Sequence, residues 1–130
     1  MATSPGLFLP SIGENNAGCV DFSFSFLTAA TGVDPDATLI RGNKVASVTR
    51  SAAGKYLVTL DSPYYQIISR SSIVDDVSTG DGAYASVYVA DEAASPLVLT
   101  VFTYAAGGAK TDLVSRRVNV DLKIRLSVGA

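Results

Sequence analysis

Residues 117–128 read RVNVDLKIRLSV, and this stretch decides the fold. Val118, Val120, Leu122, Ile124, Leu126 and Val128 alternate with Asn119, Asp121, Lys123, Arg125 and Ser127. A sustained period of two puts the apolar side chains on one face of an extended strand and the polar ones on the other. The segment is predicted to be a half-buried strand.

The same period recurs upstream. Phe22, Phe24 and Phe26 alternate with Ser23 and Ser25, a strand with an aromatic inner face. In 55–61, Tyr56, Val58 and Leu60 share a face. Residues 84–90 set Tyr84, Ser86 and Tyr88 against Ala85, Val87 and Val89, and 97–104 is apolar on both faces, as a central strand should be. Residues 64–74, holding Tyr65, Ile67 and Ile68, read as a further, bent strand after the break at Ser62 and Pro63. Residues 38–41 and 44–50 flank Gly42 and Asn43, which read as a tight hairpin turn because both residues accept positive φ. The candidate short helix is 111–116. About eight strands separated by Gly, Pro and Asp turns predict an all-β protein, an antiparallel sandwich or jelly-roll-like fold.

Residues 1–17 contain Pro5, Gly6, Pro10, Gly13 and the pair Asn15 and Asn16, which break any regular element. They also carry Leu7, Phe8, Leu9 and Ile12, which should not be left in water. We expect an extended N-terminal arm at 1–17 that docks on its own domain or on a neighbour, and one β domain at 18–130.

The chain has 130 residues, 48 % of them hydrophobic and only 17 % charged, with a formal net charge of −2. Its mean hydropathy is +0.30. That composition argues against disorder. Few charges on a small domain leave uncharged surface that assembly would cover. No apolar run reaches the roughly 18–20 residues of a membrane-spanning helix, and the N-terminus lacks the basic start of a signal peptide. No basic block offers phosphate neutralisation, so neither nucleic acid nor membrane is an expected partner.

Histidine is absent, which removes Ser-His-Asp and Cys-His machinery. The single cysteine, Cys19, supplies too few soft ligands for the usual zinc sites and is expected as a small buried apolar residue. Asp34 and Asp36, Asp75 and Asp76, and Asp91 and Glu92 read as solvated turn acids. Asp34–Pro35–Asp36 lacks the full calcium-loop pattern. Gly80–Asp81–Gly82 lacks the Lys-Ser/Thr ending of a phosphate loop and reads as a turn. A carboxylate-only hydrolase would need two acids facing each other across a cleft, which no spacing here indicates. No catalytic, cofactor-binding or metal-binding residue is expected. Tyr64 and Tyr65 are adjacent in a predicted strand, so one of them should face outward as an interface anchor.

Two stretches carry a resemblance. One is 48–60 (VTRSAAGKYLVTL) followed by Ser62, Pro63, Tyr64 and Tyr65; the other is 96–112 (PLVLTVFTYAAGGAKTD) followed by the alternating end strand. Together they resemble small all-β virion proteins of tailed bacteriophages, including head decoration (cement) proteins. The AGKYLVTL phrase is also similar to a strand of the trimeric jelly rolls typified by the C1q and tumour-necrosis-factor folds, although the aromatic-rich closing motif of the C1q type has no counterpart here. The resemblance implies a non-enzymatic structural protein, made in the host cytoplasm and placed on the outer capsid surface of the virion. It would bind the major capsid protein and itself, as a homotrimer. The arm residues Leu7, Phe8, Leu9 and Ile12 would then contact the capsid, with Tyr64 and Tyr65 at the oligomer or partner interface. The alternative is a tail, fibre or baseplate β module binding host-surface carbohydrate. It would call for an exposed aromatic platform beside Asp or Asn, as the face of Tyr84 and Tyr88 would offer.

Overall fold

The structure, a computed structural model, describes residues 19–42, 44–61, 66–77, 80–90 and 96–125. The alternating end segment forms β7 (Arg117–Arg125), the centre of a three-stranded antiparallel sheet. β1 (Cys19–Leu27) lies on one side of it and β4 (Gln66–Val74) on the other. Phe22, Phe24 and Phe26 stand directly opposite Leu122, Val120 and Val118, so the two apolar rows merge on one face. The other four strands form the second antiparallel sheet, in the order β2 (Val45–Ala52), β3 (Lys55–Leu60), β6 (Val98–Tyr104) and β5 (Tyr84–Tyr88).

Apolar residues from both sheets join in one core. Phe26, Val58, Leu60, Leu99, Val101, Val118, Val120 and Ile124 have no solvent exposure. The Phe26 ring lies 5.4 Å from that of Tyr56, linking β1 to β3 across the core. Each such side chain stabilises the fold by about 2 kcal/mol relative to leaving it exposed. The chain is therefore an all-β, sandwich-like protein with seven strands among the described residues.

The bent strand has a specific cause. The pairing of β4 with β7 shifts between Ile67 and Ser69, a β-bulge that leaves Ile68 as the extra residue. The bulge turns Arg70 and Ser72 to the side of Leu122 and Val120. Both lie where the two sheets' edge strands meet. Ser72 Oγ donates to the Ala85 carbonyl at 2.9 Å, and Arg70 Nε donates to that of Val87 at 3.3 Å. Side chains of one sheet thus occupy edge carbonyls of the other.

Two local expectations fail. Residues 38–41 do not form a hairpin arm with 44–50. The Asp36 side chain accepts from the amide and hydroxyl of Thr38 and closes a short 3₁₀ turn, Ala37–Leu39. Arg41 then exchanges backbone hydrogen bonds with Ser25 of the other sheet, so the chain crosses between sheets. Gly42 follows at φ 108, and a Cβ there would lie 2.8 Å from that of Phe24. Only glycine allows that approach. Residues 111–116 are not a helix either. The Thr111 amide donates to Thr103 and the Ser115 amide to Thr28, both beyond the reach of a helical turn, and Ser115 has a φ of 53.

Candidate functional site

Alternation along the strands gives each sheet an outer face as well as a core face. On the four-stranded sheet, Tyr56, Val58, Leu99 and Val101 point inward. Lys55, Leu57, Thr100, Phe102, Tyr104, Tyr84 and Tyr88 therefore share the outer side. Tyr84 stands opposite Tyr104, and their rings stack at 4.7 Å with 15° between planes. The Phe102 ring is 6.5 Å from that of Tyr104. Lys110 places its Nζ 4.4 Å from the Phe102 centroid, a cation–π contact, and Lys55 is the cross-strand neighbour of Phe102. Tyr84 and Tyr88 remain 44 % and 54 % exposed. The tyrosine hydroxyl of Tyr104 lies 3.3 Å from Ser86 Oγ. No Asp or Asn occupies a described outward position along these strands; Asp61 lies just beyond the end of β3.

The three-stranded sheet presents a different outer face. Asp21 stands opposite Lys123, Ser23 opposite Asp121, and Ser71 opposite Asp121 on its other side. Ser23 Oγ donates to Asp121 Oδ1 at 2.5 Å. These residues, with Ser69 and Arg70, line a shallow depression of about 420 Å³. A smaller one of about 190 Å³ adjoins it, lined by Ser25, Arg41, Gly42 and Asn119 among others. Two carboxylates, Asp21 and Asp121, share the larger depression, and the carboxylate of Asp121 is engaged by the Ser23 hydroxyl.

Most other carboxylates of the described residues serve the fold. Asp112 has a side chain only 4 % exposed and accepts from Gly54 N (2.7 Å), Gly32 N (3.0 Å) and Arg50 Nε (2.8 Å). Burial pushes its carboxyl up, but the two amides and the guanidinium outweigh burial and hold it below the usual carboxylate range. Gly54, at φ 66, approaches so closely that a Cβ would lie 2.6 Å from the Thr111 nitrogen. Nearby, burial first and the Asp112 charge second push the Tyr56 hydroxyl up to about 12.

The Arg116 guanidinium forms a second cluster. It grips both Asp81 oxygens, at 2.6 and 3.0 Å, and donates to the Asp75 carbonyl from Nε and Nη2. This bidentate pair lowers the Asp81 carboxyl and raises Arg116. It ties the loop before β5 to the start of β7. Gly80–Asp81–Gly82 is thus a latched loop, with both glycines at positive φ. Asp34 accepts from the Arg50 amide, and Asp75 Oδ1 from Asn119 Nδ2.

Among the described residues no group of three or more His, Cys, Asp or Glu gathers as a metal site, and no helix is long and apolar enough to cross a membrane. Cys19 is half-buried, not the fully buried residue expected, because it starts β1 at the sheet margin. Leu7, Phe8, Leu9 and Ile12 of the arm, and Tyr64 and Tyr65, lie outside the described residues. The sequence pointed to Tyr84 and Tyr88 but missed Phe102, Tyr104 and Lys110 as their companions. The β5–β6 pairing that gathers them joins residues too distant in sequence for a local pattern to reveal. Comparison with protein-family models, curated proteins and solved structures finds no match for this chain.

Proposed function

We propose that this chain is a non-enzymatic structural protein of a bacteriophage virion. In this reading it is a decoration (cement) protein that binds the outer surface of the assembled head as a homotrimer, with the major capsid protein as its partner. The observation that carries this reading is the aromatic outer face of the four-stranded sheet. Tyr84, Tyr88, Phe102 and Tyr104 add nothing to the core on that side, yet they stand together where water would otherwise cover them. Tyr and Phe concentrate at protein interfaces because they provide rigid area, and Tyr adds a polar tip. The low charge fraction of the chain and its resemblance to decoration proteins support the same reading.

The mechanism is mass action. A protein that binds the assembled lattice and not its dissociated subunits stabilises the lattice by an amount that grows as the logarithm of its free concentration relative to its dissociation constant. Each trimer would staple neighbouring capsid subunits, with Leu7, Phe8, Leu9 and Ile12 reaching the capsid and Tyr64 and Tyr65 near an interface. The arm could add a strand to an exposed sheet edge of the capsid protein.

Light scattering on the purified chain, with and without residues 1–17, tests the assembly. The expected result is a trimer in both cases, which leaves the arm free for the capsid. A monomer in both cases contradicts the preformed trimer. The exposed rings of Tyr84 and Tyr88 also support a second reading, a tail, fibre or baseplate module that binds host carbohydrate. The absence of Asp or Asn beside them, among the described strand positions, ranks it second. Glycan-array binding by the isolated chain would reverse that order.

A further inference from the structure

Resting on the homo-oligomeric reading above, we infer that a second copy of this chain covers the aromatic face. In this arrangement the contact is head-to-tail, with Lys55 and Lys110 of one copy facing Asp34 and Asp36 of the next. The face itself states the sign of its partner. Lys55 and Lys110 flank Phe102, and no described outward position along these strands carries a carboxylate, although the chain as a whole has a net charge of −2. The complementary surface is therefore acidic and partly apolar.

A two-fold contact of this face with itself would set its lysines against their own copies. Like charges facing each other across an interface are repulsive, so an isologous pairing is disfavoured. A heterologous contact needs an acidic, apolar patch elsewhere on the same chain. The crossing between β1 and β2 offers two carboxylates among apolar side chains, with the Arg117 guanidinium beside them donating to the Leu39 carbonyl at 2.7 Å. Asp34 and Asp36 are flanked by Val33 and Leu39, exposed by 49 % and 41 %. Asp34 uses Oδ1 to accept from the Arg50 amide, and Asp36 uses Oδ1 to accept from Thr38. A carboxylate has capacity left on its second oxygen for a lysine.

Position favours this patch over its rival. Ile73, 66 % exposed, with Asp75, Asp76 and Val77, also combines apolar and acidic groups. Ile73, however, stands opposite Asn119 on the outer face of the three-stranded sheet, on the far side of the sandwich. Joining opposite faces stacks copies without end, whereas an edge meeting a face can close a ring. Asp34 sits at the outer edge of β2, through its bond to the Arg50 amide, at the end of the same sheet opposite β5 and so free to meet the aromatic face of another copy.

The test is a sedimentation and light-scattering series on the full chain. Lys55→Glu with Lys110→Glu should weaken self-association about tenfold. Asp34→Lys with Asp36→Lys should do the same, and the four changes combined should recover most of it. Raising salt from low to high should weaken the unaltered chain several-fold. Circular dichroism reports whether each variant folds. If the aspartate reversals do not fold, Val33→Ser with Leu39→Ser replaces them and should also lower the mass. An oligomer that survives both the lysine reversals and Tyr84→Ser with Tyr88→Ser overturns this inference and leaves the homotrimer standing on another surface. An unaltered chain that is monomeric at every concentration overturns both. An oligomer lost in the tyrosine variant but indifferent to salt and to charge reversal keeps the face and overturns its acidic occupant.

Discussion

The two outer faces of the sandwich come from the same alternation yet carry opposite chemistry. Outside the three-stranded sheet lie Asp21, Ser23, Ser69, Ser71, Asp121 and Lys123, cross-paired into rows of charges and hydroxyls, with Ile73 as a lone apolar residue toward the end of β4. Outside the four-stranded sheet lie Tyr84, Tyr88, Phe102 and Tyr104. Both sets occupy outer positions of regular strands, because strand propensity depends on the neighbours of a position and does not dictate a single side-chain type there. The fold therefore does not require the aromatic face. Water suits the first face and not the second, which is why the second is read as a surface that meets protein.

The comparison can be sharpened by substitution, starting with what lies beneath both faces. Phe26 is fully buried and touches Tyr56 of the opposite sheet. Phe26→Ala should cost about 3–5 kcal/mol in a denaturant titration, because it leaves a cavity between the sheets. A loss below about 1 kcal/mol would mean that the layer is not packed as described.

Asp112→Asn should cost less, about 2 kcal/mol, because an amide oxygen cannot satisfy Gly54, Gly32 and Arg50 together and leaves a polar group unpaired. The same carboxylate sets a pH dependence. Its folded pKa lies below the unfolded value, so its contribution is present above roughly pH 4 and is lost as pH falls through the folded value. Asp81, held down by Arg116, acts in the same direction. Urea midpoints measured from pH 6 downward should fall in that window, and fall less in Asp112→Asn. A flat profile would contradict the depressed carboxyls.

On the outer faces stability should change little and assembly should separate the two. Tyr84→Ser with Tyr88→Ser should shift stability by no more than about 1 kcal/mol while lowering the solution mass. The smallest effect belongs to the polar face. Ser71→Ala should leave both stability, within about 0.5 kcal/mol, and mass unchanged, as read by thermal melting and light scattering. A mass change in Ser71→Ala with none in the tyrosine variant would invert the assignment of the faces.

How much of this was legible in the sequence follows from locality. Val118 to Ile124 and Phe22 to Phe26 announced their strands because the period of two lies within each segment. The strand through Ile67 and Ile68 read as bent from its sequence, whereas the bulge between Ile67 and Ser69 that bends it emerges only from its pairing with β7. Residues 38–41 misled because extended-looking residues were closed into a 3₁₀ turn by one side chain, Asp36, and then held by Ser25 far upstream. The 111–116 segment misled for a similar reason, its amides being taken by Thr103 and Thr28. At the site, Tyr84 and Tyr88 showed on their own strand, whereas Tyr104, Phe102 and Lys110 joined them only through pairing. Asp112 gave no local signal at all, because its three partners come from three separate segments.

The most direct test is the solution mass of the intact chain beside that of Tyr84→Ser with Tyr88→Ser, at matched concentration and with folding verified by circular dichroism. The account predicts a trimer for the first and a monomer for the second. Equal masses for the two folded proteins would contradict the claim that the aromatic face is where this chain assembles.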